Sequence, residues 1–213
     1  MSRNLKIIFS FIILLVGLTI FASEYFNSKK IKVYDYMNEL YYQEEIDVAD
    51  VDEVNELEEN KNNEENSSND TSYNVIENKS VYIGYLIIPE INFKKGFTEK
   101  SSKYNTVSMN IEILNASNYP DEENGNVILA GHSGNSSVSF FKNLYKINNG
   151  SLVYIEYNNM VYTYKITNIY EVEKTGKAEI KRKKGVSTIT LITCTKNNKK
   201  TQTIYIGELI NKG

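Results

Sequence analysis

The chain has 213 residues, a net charge of −3 and a pI near 5.4, so there is room for one ordinary domain plus appendages and no basic excess of the kind that binds nucleic acid. A single cysteine excludes an internal disulfide and any zinc site that needs two thiolates. Seventeen tyrosines, eight phenylalanines and no tryptophan, among abundant Ile and Val, lean towards β structure.

Residues 1–6 are short and basic, and residues 7–22 form an uncharged apolar run interrupted only by Ser10, Gly17 and Thr19. A helix that crosses a bilayer needs about 20 apolar residues, with a lower limit of roughly 17, and with Leu5 and Ser23 the run reaches that length. Two readings fit: a signal anchor that stays in the membrane, or a secretory signal peptide cut after Ala22. Ile20-Phe21-Ala22 is a poor small-x-small site and the run is long for a signal-peptide core, which favours the anchor. Arg3 and Lys6 precede the run, but Lys29, Lys30 and Lys32 follow it, so charge alone does not orient it. A very short tail ahead of a first apolar segment stays inside, which places the bulk of the chain outside a single-pass membrane span.

Residues 31–46 carry Val33, Met37, Leu40 and Tyr41 at helical spacing and predict a modest amphipathic helix. Residues 44–78 are rich in Glu and Asp and then in Asn and Ser. Such a stretch buries too little apolar surface to offset its ordering entropy and reads as a flexible acidic stalk. Calcium binding is the alternative there, but the carboxylates lack the spacing of an EF-hand loop.

From Val81 the texture changes to short apolar, β-branched runs. Residues 81–89 predict a strand stopped by Pro89, and residues 91–97 a partner for it. Residues 99–109 are polar and loop-like, and residues 115–125, with Pro120, Asp121 and Gly125, are turn-rich. Residues 127–130 predict a buried strand leading into Gly131-His132. Phe140, Phe141, Leu144 and Ile147 predict one face of a short helix closed by Gly150. Residues 152–157 and 160–169 alternate about Asn158-Asn159, a hairpin signal. A basic loop over 174–184 separates this hairpin from strands at 188–193 and 203–210, which are joined by a polar loop over 195–200. Seven or eight short strands of this spacing predict a mainly β fold, a closed or nearly closed barrel with short helices.

Chemistry concentrates at two strand ends. Thr190-Leu191-Ile192-Thr193-Cys194 ends in the only cysteine, and Ala130-Gly131-His132-Ser133-Gly134 holds the only histidine. A thiol beside an imidazole is a nucleophile beside a proton carrier. A lone cysteine is more often a small buried hydrophobe, and a lone histidine a satisfied surface or core residue, so spacing alone favours the plainer reading.

Ile128-Leu129-Ala130-Gly131-His132, then Phe140-Phe141-Lys142-Asn143-Leu144, then Thr190-Leu191-Ile192-Thr193-Cys194 resembles the sortases, the membrane-anchored cysteine transpeptidases of Gram-positive bacteria. Ile83-Gly84-Tyr85-Leu86-Ile87-Ile88-Pro89-Glu90-Ile91 is similar to the first barrel strand of that family, and the resemblance covers about 81–210. It implies a sortase-type barrel over 79–213, after a tail and transmembrane helix at 1–24 and a juxtamembrane helix and stalk at 25–78. It also implies cleavage of an LPXTG-like sorting signal between Thr and Gly through a thioacyl intermediate, with transfer to an amine of a cell-wall precursor or a pilin lysine. Cys194 then corresponds to the nucleophile and His132 to the general acid and base; Thr193, just before the cysteine, either helps position substrate or is an ordinary β-branched strand residue. No cofactor or metal is required; Asp121, Glu122 and Glu123 offer carboxylates for calcium, against the plainer reading of a solvated turn. With no recognisable lid motif, the chain is expected to be an anchoring member of the A, B or D kind rather than a pilin polymerase.

One position departs from the family. Where sortases open the last strand with an arginine facing the groove, this chain has Gln202, and Arg182 precedes the cysteine strand and cannot be carried over. A neutral amide donor is worth roughly 1 kcal/mol less than a charged one, or a several-fold to tenfold slower step. Lys199 or Lys200 would supply charge if their loop folds back. The departure also motivates the alternative of a weak or inactive sortase-like barrel that only binds a partner at the envelope.

Overall fold

The structure, a computed structural model, describes residues 3–55 and 81–213, with side chains described for 7–43 and 81–213. One long helix, α1 (Arg3–Asn55), precedes eight strands: β1 (Tyr82–Ile88), β2 (Phe93–Thr98), β3 (Glu112–Ile113), β4 (Asn126–Ala130), β5 (Leu152–Tyr157), β6 (Met160–Glu173), β7 (Thr188–Cys194) and β8 (Thr201–Lys212). They form one sheet in the order β2-β1-β5-β6-β8-β7-β4-β3. Every pairing is antiparallel except that of β4 with β7. The sheet curls until its edges β2 and β3 are neighbours, giving a nearly closed barrel, as the strand count predicts.

The pattern of residues explains the curl. On β5 and β6 burial alternates, with Val153, Ile155, Tyr162, Tyr164 and Ile166 directed into the core and polar partners outside. β7 is buried from Thr188 to Thr193, because both its faces are covered. Ile189 and Leu191 fill the core, while the hydroxyls of Thr188 and Thr190 donate to Asn126 Oδ1 at 3.0 and 2.9 Å. The β5–β6 hairpin turns on Asn158 and Asn159, at φ of 50° and 56°, the left-handed pair that a tight hairpin turn demands.

Two expectations change. Residues 138–143 form turns and Leu144–Lys146 a single 3-10 turn, in place of a short helix. The Phe141 N–H donates to the His132 carbonyl at 2.9 Å, a long-range partner that a helical ladder would forbid. Phe141, Leu144 and Ile147 are still buried, so the apolar spacing was a packing signal and not a helical one. The short β3 lies in a stretch, 110–114, for which no element is predicted.

α1 begins with the apolar run and continues without a break to Asn55, through the amphipathic segment and into the acidic one; the rest of the expected stalk, 56–78, lies outside the described residues. It is long and apolar enough to cross a membrane. Beyond that segment it packs on β1 and β2 through a face the spacing of apolar residues did not reveal. Val33, Met37 and Leu40 stay exposed, while Tyr34, Asp35, Asn38 and Tyr42 face the barrel. Asp35 pairs with the buried Lys95 and accepts from Tyr82 Oη at 2.6 Å. Asn38 Oδ1 accepts the Val81 N–H at 3.1 Å, and the Tyr42 ring meets Tyr85 edge-on at 5.1 Å between centroids. Gly96 makes room for this seam: a Cβ there would sit 2.2 Å from the Tyr82 ring.

Candidate active site

The parallel pairing of β4 with β7 is what brings the histidine to the cysteine. Ala130 lies opposite Ile192 in register, so Gly131-His132 leaves β4 beside Thr193-Cys194 at the end of β7. Three further hydrogen bonds clamp the two strand ends. Gly131 N donates to Ile192 O at 3.1 Å, Thr193 Oγ1 to Gly131 O at 2.7 Å, and Ser133 Oγ to Cys194 O at 2.7 Å. Gly131 is required here for contact reasons, since a Cβ would lie 2.9 Å from the Phe141 ring.

His132 and Cys194 line one open groove of about 750 Å³, together with Ser133, Asn143, Tyr145 and the loop after β7. His132 is exposed and Cys194 partly so, which leaves thiol and imidazole accessible to a peptide. The loop turns sharply through Asn197, at φ of 64°, and Thr195 Oγ1 lies 2.9 Å from Thr203 Oγ1 across its base. The groove is cationic: among the described residues Lys142, Lys174, Lys196 and Lys199 line it, and no carboxylate does. The Lys196 ammonium lies 3.4 Å from the Tyr145 ring centroid, and its hydrogen bond and charge hold the exposed Tyr145 phenol below the usual tyrosine range.

The other expected residues fall as follows. Thr193 is buried on the core side of β7, its hydroxyl committed to the Gly131 carbonyl, so it fixes the strand end that carries His132 and does not touch the groove as a substrate contact would. Gln202 pairs with Cys194 in register, which puts both side chains on the same face of the sheet, but it does not line the groove. Lys199 lines the groove, whereas Lys200 does not. Arg182 caps the opposite end of β7, donating to Asn124 O at 3.0 Å and to Val186 O at 3.3 Å. The Glu122 carboxylate accepts from Tyr119 N at 2.7 Å and Asn118 Nδ2 at 2.6 Å, and these bonds hold it below the usual carboxylate range, as in a self-contained turn.

One neighbour of the thiol was not anticipated. Lys174, just past the end of β6, places Nζ 3.5 Å from Cys194 Sγ. Its backbone N–H continues the ladder to Lys200 O at 2.8 Å. β6 and β8 pair Val172 with Gln202, and β8 and β7 pair Gln202 with Cys194. Lys174, two residues on from Val172, therefore shares the face of Cys194. Nothing local in 170–178 signals this; it depends on a register between strands 30 residues apart, as between Glu171 and Thr201.

The comparisons with known proteins agree with this geometry. A model of the sortase domain matches residues 86–209. Sortase C1 from Streptococcus agalactiae is 27% identical, with a TM-score of 0.55, over 62% of this chain and 69% of that one. Sortase C from Streptococcus pneumoniae (23% identical, 62% and 70% covered, TM-score 0.55) shares the fold. So does a lid mutant of sortase A from Corynebacterium diphtheriae (20% identical, 61% and 70% covered, TM-score 0.55). Structures called sortase C and sortase A thus share the fold at the same TM-score. No curated protein matches the chain. With more than half its length matched by the family model, the chain belongs to the sortase family, the transpeptidases of mainly β, barrel fold.

Proposed function

We propose that this sortase works through Cys194 as nucleophile and His132 as proton carrier, on a sorting signal of the LPXTG kind. The observation that carries the reading is the shared groove at the paired ends of β4 and β7, which the only thiol and the only imidazole of the sequence both line. The Cys194 thiolate attacks the carbonyl carbon of the scissile Thr–Gly bond, and the carbonyl electron pair moves onto oxygen. Collapse restores the carbonyl and breaks the C–N bond, while imidazolium at His132 gives its proton to the departing amine. An incoming amine, from a cell-wall precursor or a pilin lysine, then loses a proton to His132 and displaces the thiolate. The groove is open at the surface, which suits a substrate that arrives as an extended peptide and leaves on a second nucleophile.

The proposed localisation is supported by the long apolar helix α1. The apolar segment anchors the chain as a single span, with the barrel on the extracellular face. Residues 1–24 form the tail and anchor, 25–78 the juxtamembrane part, and 79–213 the catalytic unit. The role is anchoring proteins to the envelope, in keeping with a sequence that carries no recognisable lid motif.

The test uses the full chain in detergent and a library of LPXTG-type peptides. A matching peptide adds its acyl mass to the protein, and hydroxylamine discharges the adduct. Cys194→Ala forms none. Equal behaviour of wild type and Cys194→Ala across the library sinks the enzyme reading.

A further inference from the structure

We propose that Lys174 supplies the positive charge that sortases place on the last strand and that this chain lacks at Gln202. The inference rests on the sortase reading above and adds a catalytic residue to it.

Three observations converge. The position paired with Cys194 on β8 holds an uncharged amide. The next strand in the sheet, β6, delivers an ammonium to the same face, with Lys174 Nζ 3.5 Å from the nucleophilic sulfur. Among the described residues Lys174 makes no ion pair, and no carboxylate of those residues lines the groove to neutralise it. An ammonium held against a thiol with no acid nearby has the thiolate as its natural counter-charge.

The same placement serves two moments of the reaction. Before attack, Lys174 stands opposite the sulfur anion. As the S–C bond forms, the negative charge leaves sulfur for the carbonyl oxygen, which is then one bond from the carbon joined to that sulfur. The charge remains within reach of a flexible four-carbon side chain, and Lys174 keeps its proton throughout. The proton needed by the leaving amine comes from His132, so lysine and histidine divide charge stabilisation from proton transfer. A long side chain on a strand that forms no part of the family motif thus does the work of an arginine that the motif places elsewhere.

The experiment follows alkylation of the full chain in detergent by iodoacetamide at pH 7, read by intact mass. The protein has one cysteine, so every adduct reports Cys194. The reagent is neutral, so a rate change reflects the thiolate and not steering. Removing one charge at this distance from an exposed thiolate slows alkylation about tenfold at low salt in Lys174→Gln. Lys174→Arg stays within about threefold of wild type, because the charge is retained. Lys177→Gln, which removes a lysine outside the groove, keeps the wild-type rate. The single-turnover rate of acylation by a reactive sorting peptide falls at least as far as the alkylation rate in Lys174→Gln. Wild-type rates of both reactions in Lys174→Gln overturn the proposal. Alkylation needs no substrate, so the two readings fail separately: a Lys174 effect on alkylation with no peptide adduct in any variant sinks the sortase reading alone. Peptide adducts that form equally fast with and without Lys174 sink the role of the lysine alone.

Discussion

Two lysines separate the two ends of this molecule. Lys95, in the seam between α1 and the barrel, is buried at 4% side-chain exposure and fully engaged. It pairs with Asp35, donates to Tyr82 Oη at 2.9 Å and lies 4.4 Å from the Phe140 ring centroid. Burial pushes its ammonium below the ordinary lysine range, against the pull of Asp35. Lys174, in the groove, is exposed, and its ammonium meets a thiol. Tyrosines divide in the same way. Burial raises Tyr82, Tyr85, Tyr164 and Tyr205, the last to about 12, whereas the Lys196 ammonium lowers Tyr145 in the groove. The seam spends its polar groups on each other and holds a fixed geometry. The groove leaves its cations without carboxylate partners among the described residues, where a substrate's charge can develop. The ends are also joined: Lys95 touches Phe140, and Glu24 of α1 accepts the Ser137 N–H at 3.1 Å, both in the segment that follows His132.

The largest expected effect lies in the groove. His132→Ala removes the proton carrier and lowers transpeptidation by about a thousandfold, while leaving alkylation of Cys194 measurable. A loss below tenfold would mean that another group moves the proton and that the groove's division of labour is wrong. In the seam the effect is on stability. Asp35→Ala leaves Lys95 buried without its counter-charge and costs about 3 kcal/mol, the low end for breaking a buried pair because Asp35 is 33% exposed. Replacing both, as Lys95→Met with Asp35→Leu, costs less than the single change, since no charge is left stranded. Chemical unfolding of the variants decides this, and equal stability of Asp35→Ala and wild type would make the seam a loose contact.

The smallest effect per residue is on alkaline stability. A buried tyrosine whose folded pKa is raised favours folding fully below the unfolded value of about 10, and that stability is lost as pH rises above it towards the folded value. One pH unit above the unfolded value this amounts to about 1.4 kcal/mol for each such tyrosine. Melting temperatures therefore fall from about pH 10 upward. In absorbance titration Tyr145 contributes the first ionisation, before unfolding, and Tyr145→Phe removes that step. A first ionisation that survives the substitution would break the contrast between groove and seam.

Much of the barrel was legible because its signals are local. Alternation marked β5 and β6, Asn158-Asn159 marked their turn, and the run ending at Cys194 marked β7 with its ends nearly right. The pairing of Gly131-His132 with Thr193-Cys194 was legible only through family resemblance, since nothing in either segment announces a parallel neighbour. What stayed hidden depends on distant register or on polar packing. Lys174 meets Cys194 only because β8 lies between their strands. The seam uses Tyr34, Asp35 and Asn38, which an apolar periodicity passes over in favour of the exposed Val33 and Met37. Thr193 looked like a groove residue from its neighbour's chemistry, but the two-residue period of a strand turns it inward.

The central claim is that Cys194 carries an acyl group between a sorting signal and an amine. Intact mass of the full chain after incubation with LPXTG-type peptides tests it most directly. The account predicts one acyl equivalent on wild type, released by hydroxylamine and absent from Cys194→Ala. A wild-type protein that stays folded and alkylatable at Cys194, yet takes up no acyl group from any peptide in the library, would contradict it.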